Sequence, residues 1–246
     1  MNNLAEIAWL APAAWPAKLW ISTLISLIFA AFGRAVRGVT TSGAVAGGAV
    51  CFALMVAAGL TGFAALLTVF ALTWLATRFG YAHKQSLGTA ERGSGRTVAQ
   101  VLANLGVPAI CALLYILVRQ DFRLRIALIA ALAEAAADTV SSEIGQAVGG
   151  LPRLVTNWNS VSAGTDGAIT FAGTAAGVAT AIVVSLVGRV GWRSTAICAT
   201  AGVIGMMADS FLGATVEHRG ILGNNAVNFS STAIAALTAF IIALLV

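Results

Sequence analysis

Residues 124–148 read LRIALIAALAEAAADTVSSEIGQAV. A run this long and apolar can cross a bilayer as one helix, for which about 20 residues suffice. Yet it carries Glu134, Asp138 and Glu143. A charge at the centre of a span costs at least about 2.5–3.5 kcal/mol on insertion scales, so such an acid marks a functional position by default. Glu134 and Asp138 are four residues apart and share a helix face, with Ser141 and Ser142 nearby on it. Glu143 follows Asp138 by five residues, roughly 140° further round at about 3.6 residues per turn. A straight helix therefore aims Asp138 and Glu143 at different ligands. Only a helix loosened near Ser141 and Ser142 would aim them at one.

The rest of the chain agrees with a membrane reading. Of 246 residues, 59% are hydrophobic and 9% charged, with a mean hydropathy of +0.92. Soluble domains carry about 25% charged residues. Such a composition excludes a soluble domain, a disordered chain and a nucleic-acid module. It predicts one integral membrane domain over residues 1–246, an all-α polytopic bundle of about eight transmembrane helices. Residues 1–18, with Trp9, Trp15, Pro12 and Pro16, read as an interfacial segment. The expected spans are 19–32, 42–58, 60–76, 98–118, 124–148, 169–187, 195–212 and 226–246.

Alternating the connections places loops 33–41, 77–97, 149–168 and 213–225 on one side. The short connectors near residues 59, 119–123 and 188–194 fall on the other with both termini. The first side carries eight Lys and Arg against six, so it is expected to be cytoplasmic. The long polar, glycine-rich stretches also collect there, which makes it the chemical face. Asp209 is the fourth acid inside a span. Carboxylates clustered near one face suit a hard divalent cation such as Mg²⁺, typically held by one or two carboxylates plus substrate phosphates.

The loop 78–96 concentrates Arg78, Lys84, Arg92 and Arg96 among glycines and reads as a lid over an anion, although no Walker A motif is present. Asn224, Asn225 and Asn228, like Gln100 and Asn104, are amides that read a base edge, a phosphate or a metal-bound water, or else cap and bridge helices. His83 and His218 are isolated loop residues with solvated or structural roles. Cys51, Cys111 and Cys198 lie far apart in apolar runs and read as small core residues. A faint internal echo links residues 41–44 (TSGA) to 165–168 (TDGA), and 137–139 (ADT) to 208–210 (ADS).

Taken in order, several pieces resemble a known family. They are residues 37–40 (RGVT) with Gly43; Lys84, Leu87, Gly88, Glu91, Arg92, Gly93 and Arg96; and Asp138-Thr139 with 142–145 (SEIG). Then come 164–168 (GTDGA) followed by 173–177 (GTAAG); Asp209-Ser210 with Gly213, Ala214 and Thr215; and Asn224, Val227 and Asn228. Each piece is weak alone, but the order and spacing are specific. The chain resembles the membrane family that contains the plant phytyl-phosphate kinase of the vitamin E pathway. Gln85 stands where plant members are expected to have an acid, and Glu134 lies outside the shared pieces.

The resemblance implies phosphoryl transfer from a nucleoside triphosphate, CTP favoured, to a prenyl monophosphate in the lipid bilayer. It implies one or two Mg²⁺ ions held by Asp138, Glu143 and Asp209, with Lys84 also catalytic. Arg37, Thr40, Arg78, Lys84, Glu91, Arg92 and Arg96 would serve the phosphates. Thr165, Asp166, Gly167, Asn224 and Asn228 would shape the nucleotide or phosphate mouth. A phosphate monoester is largely dianionic near neutral pH, its second pKa being about 6, so no general base is needed. Two other readings stay open: a transporter or scramblase of an anionic lipid or isoprenoid phosphate, and a lipid-phosphate cytidylyltransferase or phosphatase. Transport predicts polar residues along a path through both faces; here they gather on one.

Overall fold

Helix starts are written into the sequence as Thr and Asp caps. Thr40 Oγ1 accepts from the Gly43 amide at 3.1 Å, and Thr170 Oγ1 from the Gly173 amide at 3.0 Å. Thr97 and Gln100 form a reciprocal capping box, and Asp121 accepts from the Arg123 amide. The computed structural model describes residues 15–91, 93–118 and 120–246. Its helices are α1 (Trp15–Ala35), α2 (Thr41–Arg78), α3 (Tyr81–Ser86), α4 (Val98–Leu117), α5 (Phe122–Val148), α6 (Phe171–Val187), α7 (Trp192–Leu212) and α8 (Asn224–Leu245). A π-helical turn, Gly213–Glu217, continues α7. The strands β1 (Arg153–Leu154) and β2 (Ala168–Ile169) pair antiparallel, with Arg153 opposite Ile169.

The 38 residues of α2 are not one rod. Gly59 adopts φ 61° and ψ −148°, a conformation open to glycine and costly for other residues. The chain folds back there. A Cβ built on Gly62 would lie 3.0 Å from the carbonyl oxygen of Leu54. Eight residues of straight helix would separate them by about 12 Å. The expected spans 42–58 and 60–76 are thus two arms of a helical hairpin. With α1 and α4–α8 they account for all eight expected segments. Among the described residues five helices are long and apolar enough to cross a membrane, and α6 is a shorter apolar helix. The protein is an all-α, multi-pass membrane bundle. Residues 1–14 of the expected interfacial segment lie outside the described residues.

The helix quoted at the outset sits at the centre. From Ile126 to Ala137 every residue of α5 is buried, and most are alanine. Small residues let the neighbouring backbones come close: Gly202 faces Ala133, Gly177 faces the Ala137 carbonyl and Met206, and Gly173 faces the Ser141 carbonyl. α5 runs unbroken to Val148, so the loosening near Ser141 does not occur. Outward faces are apolar: Trp20, Leu24, Leu27 and Ile28 on α1, and Leu237 and Ile241 on α8, are exposed. On α1 the inward face instead buries Lys18, Ser22 and Ser26. Apolar surface this continuous belongs against lipid tails.

Loop contacts reproduce the expected alternation. On one face the Thr40 amide donates to the Arg96 carbonyl at 2.9 Å, and the Arg96 amide to the Gly38 carbonyl at 3.0 Å. Gly80 abuts Ala147, Gly164 abuts Thr89, and Gly167 abuts Ala214. On the opposite face Arg125 donates to Thr61 at 3.0 Å and Gly188 rests on Ile129. All four glycine-rich connections therefore converge at one end of the bundle.

Candidate functional site

Among the described residues, two cavities open at that end. The first has a volume of about 270 Å³ and is walled by α5, the loop 163–170, the α7 terminus with its π turn, and Asn224. Its lining is oxygen-rich: Asp138, Ser141, Ser142, Thr165, Asp166, Asp209, Ser210 and Glu217. Four carboxylates face it, and no Lys or Arg lines it among the described residues. Asp138 and Asp209 lie close enough to interact electrostatically. Ser231 Oγ on α8 donates to Asp209 Oδ2 at 3.0 Å. Glu217 interacts with Asp166, Asp209 and the Asn224 amide. The π turn brings Glu217 into this wall, consistent with the frequent use of such bulges at functional sites.

The second cavity is larger, about 330 Å³, and lies between α1, both arms of α2, and α4. Its mouth holds Arg37, Arg78, Arg96 and Glu91, with Gln100 and Asn104 below. Its floor is Phe29, Leu66, Val69, Phe70, Val101 and Leu105. Arg78 stacks on the Trp74 ring at 3.8 Å and donates to the Val36 carbonyl at 2.8 Å. Arg37 adopts φ 55°, a backbone region that non-glycine residues seldom occupy and that recurs at functional sites. A parallel bridge between Val39 and Arg96 fixes both arginines on one joint. Gly43 must be small there, because a Cβ would strike the Arg96 carbonyl.

Arg96 joins the two cavities. It lines the basic mouth, reaches Thr139 Oγ1 on α5 with Nη2 at 3.4 Å, and interacts electrostatically with Asp138 in the acidic cavity. A basic mouth above an apolar floor thus adjoins an acidic, oxygen-lined chamber.

Lys84 and Glu143 are placed differently from the sequence expectation. Lys84 is fully buried. Its Nζ donates to the Ala76 carbonyl at 3.1 Å, the Thr77 carbonyl at 2.8 Å and Glu143 Oε2. Neither residue lines either cavity. The reason is helical rotation: on an unbroken α5, Glu143 turns away from Asp138 and toward α3. Among the described residues no group of three or more His, Cys, Asp or Glu side chains is arranged to hold a metal unaided. Of the four carboxylates that line the acidic cavity, Asp138 and Asp209 face each other from α5 and α7.

Other expected residues divide between roles. Thr40 caps α2 and donates to the Arg96 carbonyl at 3.3 Å. Thr165 donates to the Ser162 carbonyl at 2.8 Å, shaping the loop that presents Asp166 and Gly167. Asn228 donates to Asn104 Oδ1 at 3.4 Å, tying α8 to α4. Arg92 lies outside the described residues. Glu134 is buried one turn deeper than Asp138, beside Ser231, whose hydroxyl also donates to Asp209. Sequence reasoning missed Glu217 and Ser231. Ser231 was findable, standing three residues after Asn228 and therefore on its face. Glu217 was not, because its position depends on the π turn.

The matching family model covers residues 24–236 and is described as an integral membrane protein family, DUF92. The chain belongs to the DUF92 family. This DUF92 protein is 35% identical over 231 residues to an uncharacterised membrane protein of Methanocaldococcus jannaschii, covering 92% of this chain and 94% of the relative. It is 30% identical over 249 residues to an uncharacterised membrane protein of Synechocystis, covering 97% and 95%. It is 29% identical over 197 residues to the chloroplastic protein VTE6 of Arabidopsis thaliana, covering 74% of this chain and 59% of VTE6. No solved structure matches.

Proposed function

We propose that this DUF92 protein is a membrane-embedded phosphotransferase that moves the γ-phosphoryl group of a nucleoside triphosphate onto a prenyl monophosphate. The observation that carries this reading is the adjacency of two unlike cavities. One offers carboxylates and hydroxyls, and the other offers arginines over an apolar floor. The family resemblance read from the sequence supports the same reaction and favours CTP.

Asp138 and Asp209 would hold Mg²⁺ together with the triphosphate oxygens, consistent with the ion's habit of taking one or two carboxylates plus phosphates. When bound, that ion supplies charge neutralisation of the transferring group. Arg37 and Arg96 bind and orient the acceptor phosphate. Its oxygen forms a bond to the γ-phosphorus as the bond from that phosphorus to the β–γ bridging oxygen breaks. A dianionic monophosphate and a tetra-anionic triphosphate become a trianionic prenyl diphosphate and a trianionic nucleoside diphosphate, so no proton is gained or lost. Catalysis is then positioning and charge stabilisation, the usual content of phosphoryl transfer. Arg96, between the cavities, is the group placed to follow the charge from donor to acceptor.

Purified protein in detergent, given γ-labelled CTP or ATP, Mg²⁺ and phytyl or geranylgeranyl phosphate, is expected to yield labelled prenyl diphosphate and unlabelled nucleoside diphosphate. Asp138→Asn and Asp209→Asn should abolish transfer while the protein stays folded. Absence of labelled diphosphate across a panel of prenyl phosphates would sink the proposal. Release of pyrophosphate would instead identify a cytidylyltransferase.

A further inference from the structure

The basic-mouthed cavity has a feature that its acidic neighbour lacks. Its outer wall is α1, which packs chiefly on α2. The contact runs through small residues: a Cβ on Gly48 would lie 3.2 Å from Ala30 Cβ and 3.6 Å from the Ser26 carbonyl oxygen. Beside it Gly47 lines the cavity, is only half-buried, and would find nothing within 4 Å of an added Cβ. Gly47 stands seven residues into α2 from its Thr40 cap, and Asn104 seven into α4 from Thr97. Both are therefore about 10 Å inside the bundle. At that depth Phe70 and Leu105 floor the cavity beside Asn104, and the helix wall has a notch instead of a side chain.

We propose that the gap between α1 and α4 at Gly47 is a lateral portal. Through it the tail of a single-chain phosphate amphiphile passes between bilayer and cavity while its phosphate docks at Arg37 and Arg96. This rests on the acceptor reading above and adds the route and the selectivity. Charge and polarity specify the occupant. The mouth carries three arginines against Glu91, suited to a dianion, and the interior carries aliphatic and aromatic side chains, suited to a hydrocarbon. Tail length is not measured by a closed end, because a longer tail continues into lipid. Tail width is measured, because one notch admits one chain. A C5 prenyl monophosphate has no tail to lead through the notch, so it serves as the internal reference.

The test compares wild type with Gly47→Phe, which plugs the notch from α2, and Ala30→Leu, which narrows it from α1. The ratio of kcat/KM for a C20 prenyl monophosphate to that for the C5 compound is expected to fall about tenfold in Gly47→Phe, as crowding a hydrophobic pocket does, and less in Ala30→Leu. An unchanged ratio in both overturns the portal. A second readout does not need turnover. A C20 monophosphate carrying a diazirine at the tail end, incorporated in phosphatidylcholine vesicles, should label α1 and α4 in wild type and lose that labelling in Gly47→Phe of equal thermal stability. Undiminished labelling overturns the portal even where transfer is found. Lost labelling without any transfer by wild type keeps the portal and overturns the kinase.

Discussion

Breaking the Lys84–Glu143 pair tests whether these residues are struts or site residues. Lys84 is fully buried and its ammonium has three partners: two carbonyls at the end of α2 and Glu143. Glu143→Gln leaves the two carbonyls but removes the only anion, stranding a charge where water does not reach. Removing one partner of a buried pair costs about 3–5 kcal/mol. For a chain of this size about 1 kcal/mol corresponds to 2–4 °C, so the melting temperature in detergent should fall by roughly 10 °C. Replacing both partners by apolar side chains, Lys84→Met with Glu143→Leu, should restore most of it, since well-filled apolar substitutes for buried pairs are often neutral. Wild type, Lys84→Met, Glu143→Leu and the double variant form a double-mutant cycle, and a coupling energy of about 2 kcal/mol or more is expected for residues in direct contact. The reasoning is refuted if the cycle is additive. It is equally refuted if Glu143→Gln melts like wild type and shifts the Mg²⁺ dependence of transfer, which is the signature of a ligand.

Two further expectations follow from other parts of the bundle. Gly173→Ala places a methyl group against the Ser141 carbonyl and Thr170 Oγ1; overpacking of this kind costs about 1–3 kcal/mol, readable as a lower melting temperature with α5 and α6 pushed apart. At the opposite face the Arg123 guanidinium holds the Asp121 carboxyl below its ordinary value. Its contribution to stability is therefore present above the unfolded carboxylate pKa of about 3.9 and is lost as pH falls through the lower folded value. Asp121→Asn, which keeps a capping side chain, should erase that acid limb in melting curves recorded from pH 5 downward.

Much of the architecture was legible because lipid leaves few options. A span must be apolar and helical, so eight segments and an alternating topology follow from composition and loop spacing. Even the Gly59 reversal was implicit in the split between 42–58 and 60–76. The cavity linings were legible to the level of residue type. Asp138, Asp209, Arg37 and Arg96 came from the cost of charge in a span and from the shared motif pieces. Partnership was not legible. Whether Lys84 meets a phosphate or Glu143 depends on how α3 docks on α5, 59 residues away in sequence. The rotation between Asp138 and Glu143 already argued for two destinations; only the fold says that the second is a lysine. The π turn that swings Glu217 into the acidic wall has no signature in residues 213–217.

The reversal at Gly59 also sets helix polarity at the chemical face. Because α2 doubles back, its first amides and its last carbonyls end at the same level, beside one cavity mouth. The amide end, behind Thr40 and Gly43, carries partial positive charge of about half a unit, and the carbonyl end, at Ala76 and Thr77, carries the opposite. An incoming phosphate would be drawn by one and repelled by the other. Lys84 sits on the repelling end, with its ammonium against those two carbonyls. A lysine that lines neither cavity thereby caps the carbonyl end of the hairpin, with Glu143 balancing its charge.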